Sequence, residues 1–307
     1  MAQLNTTVGD SSLTSPNPVN RTRSDKIFQI FLVVFFVILS MVFLVPVLNV
    51  VALSFSGTSA ILRNDVTVLP VDFTTIGYSQ VFQNDKMMTG FRNSFLVILF
   101  NLPLALLMTS LAAYPLAFGN FKGKKLYSFM ILFTMWFGAG LIPNFMVIRS
   151  LGMLDSLWSL IVPSALGAYN IIILRNFMES TPLSIVESAK IDGANDFRIL
   201  FNIIIPTSTP VLATISLWVI VARWNEFFNP LMYITDPSKY TLQVILRDIV
   251  LASEISEFNL TAAEGTLSIP EQLRNAAIVI SMVPMLIIYP FLQRFFVSGI
   301  MLGSVKE

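Results

Sequence analysis

The chain has 307 residues, of which 55% are hydrophobic and only 12% are charged, and its mean hydropathy is +0.74. Soluble domains carry about a quarter charged residues, so this composition excludes an ordinary soluble protein. Basic residues (19) and acidic residues (18) nearly balance, which leaves no net field to attract nucleic acid. The absence of histidine and cysteine excludes disulfides, Ser-His-Asp and Cys-His catalysis, and metal sites built from imidazoles or thiolates.

Polar residues dominate 1–24, where Ser, Thr, Asn and Pro are frequent and large apolar residues are rare. This composition predicts a disordered tail, and the apolar run that follows is too long for a signal peptide. Six later stretches contain no Asp, Glu, Lys or Arg, and each is about long enough to cross a bilayer as a helix, which takes roughly 20 residues. They are 27–62, 93–121, 126–148, 156–174, 199–222 and 275–293. The sequence therefore predicts an all-α integral membrane protein with six transmembrane helices.

Basic residues indicate which loops face the cytoplasm, because cytoplasmic loops carry an excess of Lys and Arg. Three basic residues within 21–26 precede the first predicted span, and three lysines within 122–125 crowd the short loop after the second. This pattern places both termini and the 179–206 loop inside. Alternation of the spans then places the 236–274 loop outside.

The 179–206 loop is longer than a simple connection requires, and it contains signals for two short helices. Thr181 is a suitable N-cap with Pro182 at the first helical position, and Gly193 can adopt the left-handed conformation that ends a helix. Asn195 can cap a second helix that leads to Pro206, where the fifth span should begin. The pattern predicts a helix–turn–helix with an apolar contact surface. That surface is formed by Ile185, Val186, Ala189 and Ile191.

The same loop resembles a known motif. It is similar to the EAA loop of binding-protein-dependent ABC importer permeases. In this chain the pattern is Glu187-Ser188-Ala189, three residues, Gly193, nine residues, Ile203, one residue and Ile205-Pro206. The family pattern is Glu-Ala-Ala, three, Gly, nine, Ile, one, Leu-Pro. In that family the loop is a coupling helix that docks into a cleft of the ATPase subunit. The resemblance implies this coupling role for Glu187, Ser188, Ala189, Asp192, Gly193, Ala194 and Pro206.

Other segments resemble carbohydrate-type permeases of this family. The run 223–227 is similar to their Trp-Asn-x-Phe signature, and 293–306 is similar to their C-terminal tail, as in the small permease of maltose systems. The outside segment 240–247 resembles the branch that handles polymer-derived oligosaccharides. These resemblances imply a type I ABC importer permease domain over 25–307, in a bacterial plasma membrane.

The resemblance also implies partners. They are a second homologous permease, two ATPase subunits that bind ATP and Mg, an external solute-binding protein and a carbohydrate substrate. This chain has no Walker motif, so we expect it to bind no cofactor of its own and not to be an enzyme. Two alternatives remain open at this stage: an ABC permease for a non-sugar solute, and an ion-coupled secondary transporter, which the charge-free spans disfavour.

Polar residues in or beside the spans are candidates for the substrate pathway. Arg223 and Glu226 can pair across one helix face. Trp224 and Asn225 between them suit a sugar, because an aromatic ring meets the C–H face of a pyranose while an amide binds its hydroxyls. Anchoring at the membrane interface is the alternative for this group. The further candidates are Asn144, Tyr169 and Asn170, for which helix–helix hydrogen bonding is the alternative.

Outside the membrane, 242–255 has the periodicity of an amphipathic helix and is a candidate docking surface for the solute-binding protein. Its predicted inward residues are Leu242, Ile245, Leu246, Ile249 and Val250.

Overall fold

The computed structural model describes the backbone over residues 23–260 and 271–303, and side chains over 24–253 and 271–291. Within these residues the protein is helical. Most of the predicted tail, part of the 236–274 loop and the C-terminal motif side chains lie outside the described residues. The helices are α1 Arg23–Ser54, α2 Thr58–Leu62, α3 Ile76–Gln83, α4 Asp85–Phe118, α5 Lys124–Trp136, α6 Leu141–Ser150, α7 Trp158–Ile161, α8 Ala168–Glu179, α9 Leu183–Ile191, α10 Asp196–Ile199, α11 Ile205–Thr207, α12 Thr209–Trp224, α13 Phe228–Tyr233, α14 Leu242–Leu260 and α15 Glu271–Gly303.

The chain divides into two compact units, with the boundary after Asn49. The described part of the first unit is one stretch of α1, in which nearly every large apolar side chain is exposed. Phe31 and Phe35 stack along its surface with ring centroids 6.3 Å apart. An apolar helix that exposes its side chains all round is suited to a lipid environment.

Three helices in the described part of the chain are long and apolar enough to cross a membrane, and up to five spans result if each of two bent pairs counts as one. The long ones are Ser24–Ser54, Asp85–Phe118 and Glu271–Phe291. They coincide with the first, second and sixth predicted spans. The second begins earlier than predicted because Asn84 caps it, its Oδ1 accepting hydrogen bonds from the backbone N–H groups of Lys86 (3.0 Å) and Met87 (3.3 Å).

The third and fifth predicted stretches are bent pairs of helices. α5 and α6 meet at 114°, and the break contains Gly140 at φ +86°, a conformation that favours glycine. The helix that ends at Thr207 meets α12 at 82°, next to Pro210, which lacks an N–H to continue the helical pattern. The fourth stretch, 156–174, contains only the short α7 and the start of α8, because the chain leaves the helical conformation around Pro163 and Gly167.

The second unit is organised around α4, which packs against α8, α12 and α14, while α15 packs against α3 and α12. Small residues on α4 permit the closest approaches. A Cβ atom on Gly90 would lie 2.6 Å from Ile245 Cδ1 and 3.0 Å from Leu242 Cα, so α14 crosses α4 at a point where only glycine fits without a shift.

Two buried clusters lie toward opposite ends of α4. One joins Ala113, Tyr114 and Leu116 to α8, α9 and the 199–204 turn. The other joins Met87 to α3, α12, α14 and α15. The two clusters position the two candidate sites described next.

Candidate functional site

The first candidate site is the segment 183–207, which contains α9, α10 and α11. The predicted cap at Thr181 is wrong: α9 begins at Leu183, and Pro182 occupies the N-cap position. The reason is that the ψ angle of Pro182 is 128°, which is extended, so the proline lies before the helix instead of in its first turn. The helix–turn–helix itself is present.

The end of α9 is confirmed as the sequence predicts it. Gly193 has φ +80°, and its N–H donates to the carbonyl of Lys190 at 3.0 Å. The N–H of Ala194 donates to the carbonyl of Ala189 at 3.0 Å, which completes a Schellman motif. Asn195 then caps α10, with its Oδ1 accepting a hydrogen bond from the N–H of Arg198 at 2.8 Å. Local hydrogen bonds thus fix the turn between the two short helices.

The predicted apolar contact surface of α9 divides between two faces. Val186 and Ala189 are buried in the cluster at the end of α4, and Ala189 is only 9% exposed. Ile185 and Ile191 point outward, and Ile191 is 86% exposed. The expectation that Ala189 belongs to a contact surface for a partner is therefore corrected, because its side chain packs inside this chain. Glu187, Ser188 and Asp192 are exposed on the outward side.

After α10 the chain forms a π-helical turn, Leu200–Ile204, and then the short α11 that contains Pro206. Pro206 was expected at the start of the fifth span. The long straight helix instead begins at Thr209, after the 82° bend.

The second candidate site lies at the C-terminal end of α12. Arg223 Nη1 donates to Glu226 Oε2, and Asn229 Nδ2 donates to the other carboxylate oxygen. The predicted pair is thus present, but not on one helix face: α12 ends at Trp224, and Glu226 lies in the following turn. Both charged side chains are largely buried, so the ion pair is a fixed element of this end of the protein.

Trp224 packs α12 against α15, since its indole N–H donates to the carbonyl of Ser281 at 3.0 Å. The ring is 4% exposed and contacts two cavities, of about 770 and 640 Å³. Asn225 is exposed, with its amide donating to the carbonyl of Val221 at 2.9 Å, and it lines the larger cavity. Aromatic and amide groups therefore border one space at this end of α12.

The remaining pathway candidates fall in two places. Asn144 lines a cavity of about 330 Å³ together with Asn229 and Tyr233, so the structure brings it close to the Arg223 group. Tyr169 lies elsewhere, with its ring centroid 5.3 Å from that of Trp218. Asn170 is half-buried beside it on α8. Within the described residues, no group of three acidic side chains is arranged to hold a metal ion.

Three polar residues of α4 that the sequence reasoning missed join distant parts of the chain. Asn93 Nδ2 donates to the carbonyls of Ser238 (3.0 Å) and Tyr240 (2.9 Å). The hydroxyl of Ser94 accepts the N–H of Leu242, and Asn101 donates to the carbonyl of Ile161 at 2.7 Å. Their signal in the sequence is the occurrence of small polar residues in an otherwise apolar span, which is typical of helix contacts in membranes.

Asp155 is a further residue that the sequence reasoning missed, and it connects its own loop to the turn before α14. Its Oδ1 accepts the N–H groups of Thr235 and Asp236, and Lys239 Nζ lies 2.9 Å from its Oδ2. The backbone N–H donors, followed by the Lys239 ammonium, lower the pKa of Asp155 to about 2. The carboxylate raises the pKa of Lys239 in return.

The amphipathic prediction for α14 is confirmed for the described side chains. Leu242, Ile245 and Ile249 are buried, and Leu246 and Val250 are half-buried. The prediction omitted Val244, which is also fully buried, because α14 is covered on more than one face near its start.

Known transport proteins are similar to this chain in amino-acid sequence. The polygalacturonan/rhamnogalacturonan transport system permease protein of Bacillus subtilis is 36% identical over 283 residues, which cover 92% of this chain and 99% of that protein. The diacetylchitobiose uptake system permease protein of Streptomyces coelicolor is 27% identical, with 92% and 91% covered. No family model matches the chain.

Solved structures of bacterial transporters also contain chains that are similar to this one. The crystal structure of a bacterial ABC transporter involved in the import of the acidic polysaccharide alginate contains a chain that is 34% identical, with a TM-score of 0.82 over 90% of this chain and 98% of that one. A chain of a bacterial alginate ABC transporter, solved with an alginate pentasaccharide-bound periplasmic protein, shares the fold at a TM-score of 0.50 and 14% identity.

Long apolar helices, together with these similarities, define a multi-pass membrane transport subunit. The chain belongs to the family of carbohydrate ABC importer permeases. It is the membrane-embedded permease of such a system and not an enzyme.

Proposed function

We propose that this permease imports oligosaccharides released from acidic polysaccharides. The similarity to the polygalacturonan/rhamnogalacturonan permease, at 36% identity over 92% of the chain, carries the proposal. The alginate transporter chain, at 34% identity, supports the same class because alginate too is an acidic polysaccharide. Relatives at lower identity include permeases named for arabinooligosaccharides and diacetylchitobiose, which makes neutral or amino-sugar oligosaccharides the competing substrates.

The substrate class is tested with the complete transporter in proteoliposomes. Uptake of labelled oligogalacturonides and alginate oligosaccharides is compared with uptake of arabinooligosaccharides and diacetylchitobiose at equal concentration. We expect the uronic acid oligosaccharides to be taken up faster, and to be the better competitors. Faster uptake of the neutral or amino-sugar probes would contradict the proposed substrate class.

The proposed topology has six membrane crossings with both termini in the cytoplasm. Three long helices and two bent pairs, each counted as one span, would supply five of the crossings, and the segment with α7 and α8 would supply the sixth. The lysines of 122–125 support the assignment of their loop to the cytoplasm. Because the chain has no cysteine, the single exposed cysteines of Lys122→Cys and Ser150→Cys test it directly. An impermeant thiol reagent added outside intact cells should label the second position and not the first.

The 183–207 segment is proposed to dock on the ATPase subunits, which would hold ATP and Mg. Ile191, which is 86% exposed, and the neighbouring Glu187 and Asp192 form an outward surface of mixed apolar and acidic character. An isoleucine so exposed on a short helix is suited to burial in a cleft of a partner. The Schellman turn at Gly193 and Ala194 holds this surface in place, and Ser188 lies within it.

The docking proposal is tested by purifying the transporter through a tag on the ATPase. Ile191→Glu should reduce the amount of permease recovered at least about tenfold, because a charge buried in an interface without a partner costs more than the 1.4 kcal/mol that a factor of ten represents. Leu62→Glu is the matched control, since Leu62 is 70% exposed on α2, away from α9. Equal recovery of both variants would contradict the docking role.

The substrate pathway is proposed to pass the C-terminal end of α12, where Arg223, Trp224, Asn225 and Glu226 meet the cavity that Asn144 lines. Tyr169 and Asn170 beside Trp218 would form a second contact along it. A homologous second permease would complete the pathway, and an external solute-binding protein would deliver the sugar to the side that contains α14. The periplasmic protein in the alginate transporter structure supports such a partner.

A further inference from the structure

One carboxylate connects three helices at the end of α4. The hydroxyl of Tyr114, in the last turn of α4, donates to Asp196 Oδ1 at 3.1 Å. The ammonium of Lys190, in the last turn of α9, lies 3.3 Å from the same oxygen. Asp196 itself is the first residue of α10. A single side chain therefore joins the 183–207 segment to the central helix of the protein.

Apolar contacts between these helices lie beside a cavity. Val186 and Ala189 of α9 share a buried cluster with Ala113 and Leu116 of α4. A cavity of about 520 Å³ is lined by residues of the end of α4 and of the segment. Lys190, Asp196 and Tyr114 line this cavity, together with Phe118 and Phe197. Because a cavity leaves room for movement, packing alone does not fix the angle between the segment and α4.

The three polar groups are individually well placed to fix that angle. Tyr114 is buried, so its ring is held by packing while its hydroxyl makes a charge-assisted hydrogen bond. The Gly193 Schellman turn and the Asn195 cap fix the backbone between Lys190 and Asp196. The Lys190–Asp196 pair is half exposed, and such pairs contribute little to global stability. The pair therefore matters for the relative position of the two helices and not for global stability.

We infer that Asp196, with Tyr114 and Lys190, is a positioning device that makes the 183–207 segment and the end of α4 move as one body. The inference rests on the proposed docking of that segment on the ATPases. Movement imposed on α9 by the ATPases then reaches α4, and through α4 the α8, α12 and α14 helices packed on it. Without the Asp196 connection, the cavity would absorb part of the movement.

Label distances test the connection apart from the docking. The chain lacks cysteine, so Asn120→Cys after α4 and Arg198→Cys on α10, both at exposed positions, give one spin-label pair when the other subunits are prepared without cysteine. Distances are measured by pulsed electron paramagnetic resonance in the complete transporter, with and without ATP and vanadate. In the otherwise unmodified chain we expect one narrow distance distribution that nucleotide does not change. In Tyr114→Phe, Asp196→Ala and Lys190→Met we expect a broader distribution that shifts with nucleotide.

The functional readout is the number of oligogalacturonide molecules imported per ATP hydrolysed. Substitutions in a coupling network change coupling by about 0.5–2 kcal/mol, which corresponds to a roughly two- to thirtyfold fall in this ratio. ATPase recovery with the permease should stay unchanged, because the outward surface of α9 is untouched. Lys190→Arg keeps the charge and should restore the ratio that Lys190→Met loses.

Two control variants make the same chemical changes without bridging helices. Tyr127→Phe removes a hydroxyl from an exposed tyrosine of α5, and Arg175→Gln breaks an ion pair with Glu179 that lies within α8 at 2.8 Å. Both should behave as the unmodified chain. Because Lys190 is at the surface, Lys190→Met tests the inference even where Tyr114→Phe lowers the yield of folded protein. Distances and import ratios in Lys190→Met and Asp196→Ala equal to those of the controls would overturn the inference. A loss of ATPase recovery in Ile191→Glu reports separately on the docking proposal.

Discussion

The buried amide of Asn93 offers the sharpest test of how the second unit is held together. Asn93 is 2% exposed on α4, and both of its N–H groups are used, one on the carbonyl of Ser238 and one on that of Tyr240. Asn93→Ala removes both donors and leaves two carbonyls in a space from which water is excluded. We expect the turn before α14 to loosen and the second unit to lose stability.

The expected loss can be estimated from the two hydrogen bonds. Each contributes about 0.5–1.5 kcal/mol net, and leaving a buried partner unpaired adds to the cost, so we expect a total of about 2–3 kcal/mol. A change of 1 kcal/mol shifts the melting temperature of a chain of roughly this size by about 2–4 °C. The melting temperature should therefore fall by about 4–12 °C.

The measurement is thermal unfolding of the purified transporter in detergent, followed by tryptophan fluorescence. The control is Gln83→Ala, because Gln83 is exposed and its amide donates to Ser79 Oγ at 2.9 Å within α3. This control should change the melting temperature by no more than about 1–2 °C, as surface substitutions are usually within about 0.5 kcal/mol. If Asn93→Ala unfolds at the same temperature as Gln83→Ala, the assignment of Asn93 as a structural connection is refuted.

Three other substitutions probe further contacts. Gly90→Val forces α14 away from α4 and should cost about 1–3 kcal/mol in thermal unfolding, whereas an unchanged melting temperature would contradict the close packing. Gly193→Ala places a Cβ at φ +80° and should cost about 1–2 kcal/mol locally, seen as faster hydrogen exchange in α9 and not in α14. Trp224→Phe loses the bond to the Ser281 carbonyl and should lower stability by about 0.5–1.5 kcal/mol; uptake lost at unchanged stability would instead indicate a sugar contact.

The Asp155 contacts give a prediction about pH. The pKa of Asp155 is lower in the folded protein than in the unfolded chain, so its contacts stabilise the fold at pH values above the unfolded-state pKa of about 3.9. This stabilisation is lost as the pH falls through the folded-state pKa of about 2. Lys239 has a raised pKa and stays charged over the same range. Asp155→Asn should therefore lower the melting temperature equally at pH 5 and pH 8. A smaller effect at pH 5 would show that the carboxylate titrates in this range.

Local signals in the sequence were sufficient where a few neighbouring residues decide the structure. Gly193 and Asn195 mark the ends of two short helices because the backbone conformation and the cap depend on adjacent hydrogen-bond partners. The helical periodicity of apolar residues in α14 was also sufficient, because it depends on neighbouring residues of one segment. The first, second and sixth spans followed from length and hydropathy alone.

Features set by distant contacts were beyond sequence reasoning. A charge-free stretch shows that a segment tolerates lipid but not that it is one straight helix, which explains the bends near Gly140 and Thr207. Ala189 looked available to a partner because its own partner, the end of α4, is far away in sequence. The roles of Asn93 and Asp155 depend on carbonyl and N–H groups at least 80 residues away, which no local pattern indicates.

We expect this permease to conduct a carbohydrate across the membrane only when a partner hydrolyses ATP, and this dependence on ATP separates it from an ion-coupled transporter. It is tested by uptake of a labelled oligogalacturonide into proteoliposomes that contain the permeases, the ATPases and the solute-binding protein. We expect uptake with ATP and none with a non-hydrolysable analogue, even when proton or sodium gradients are imposed. Uptake driven by an ion gradient in liposomes without the ATPases would contradict this expectation.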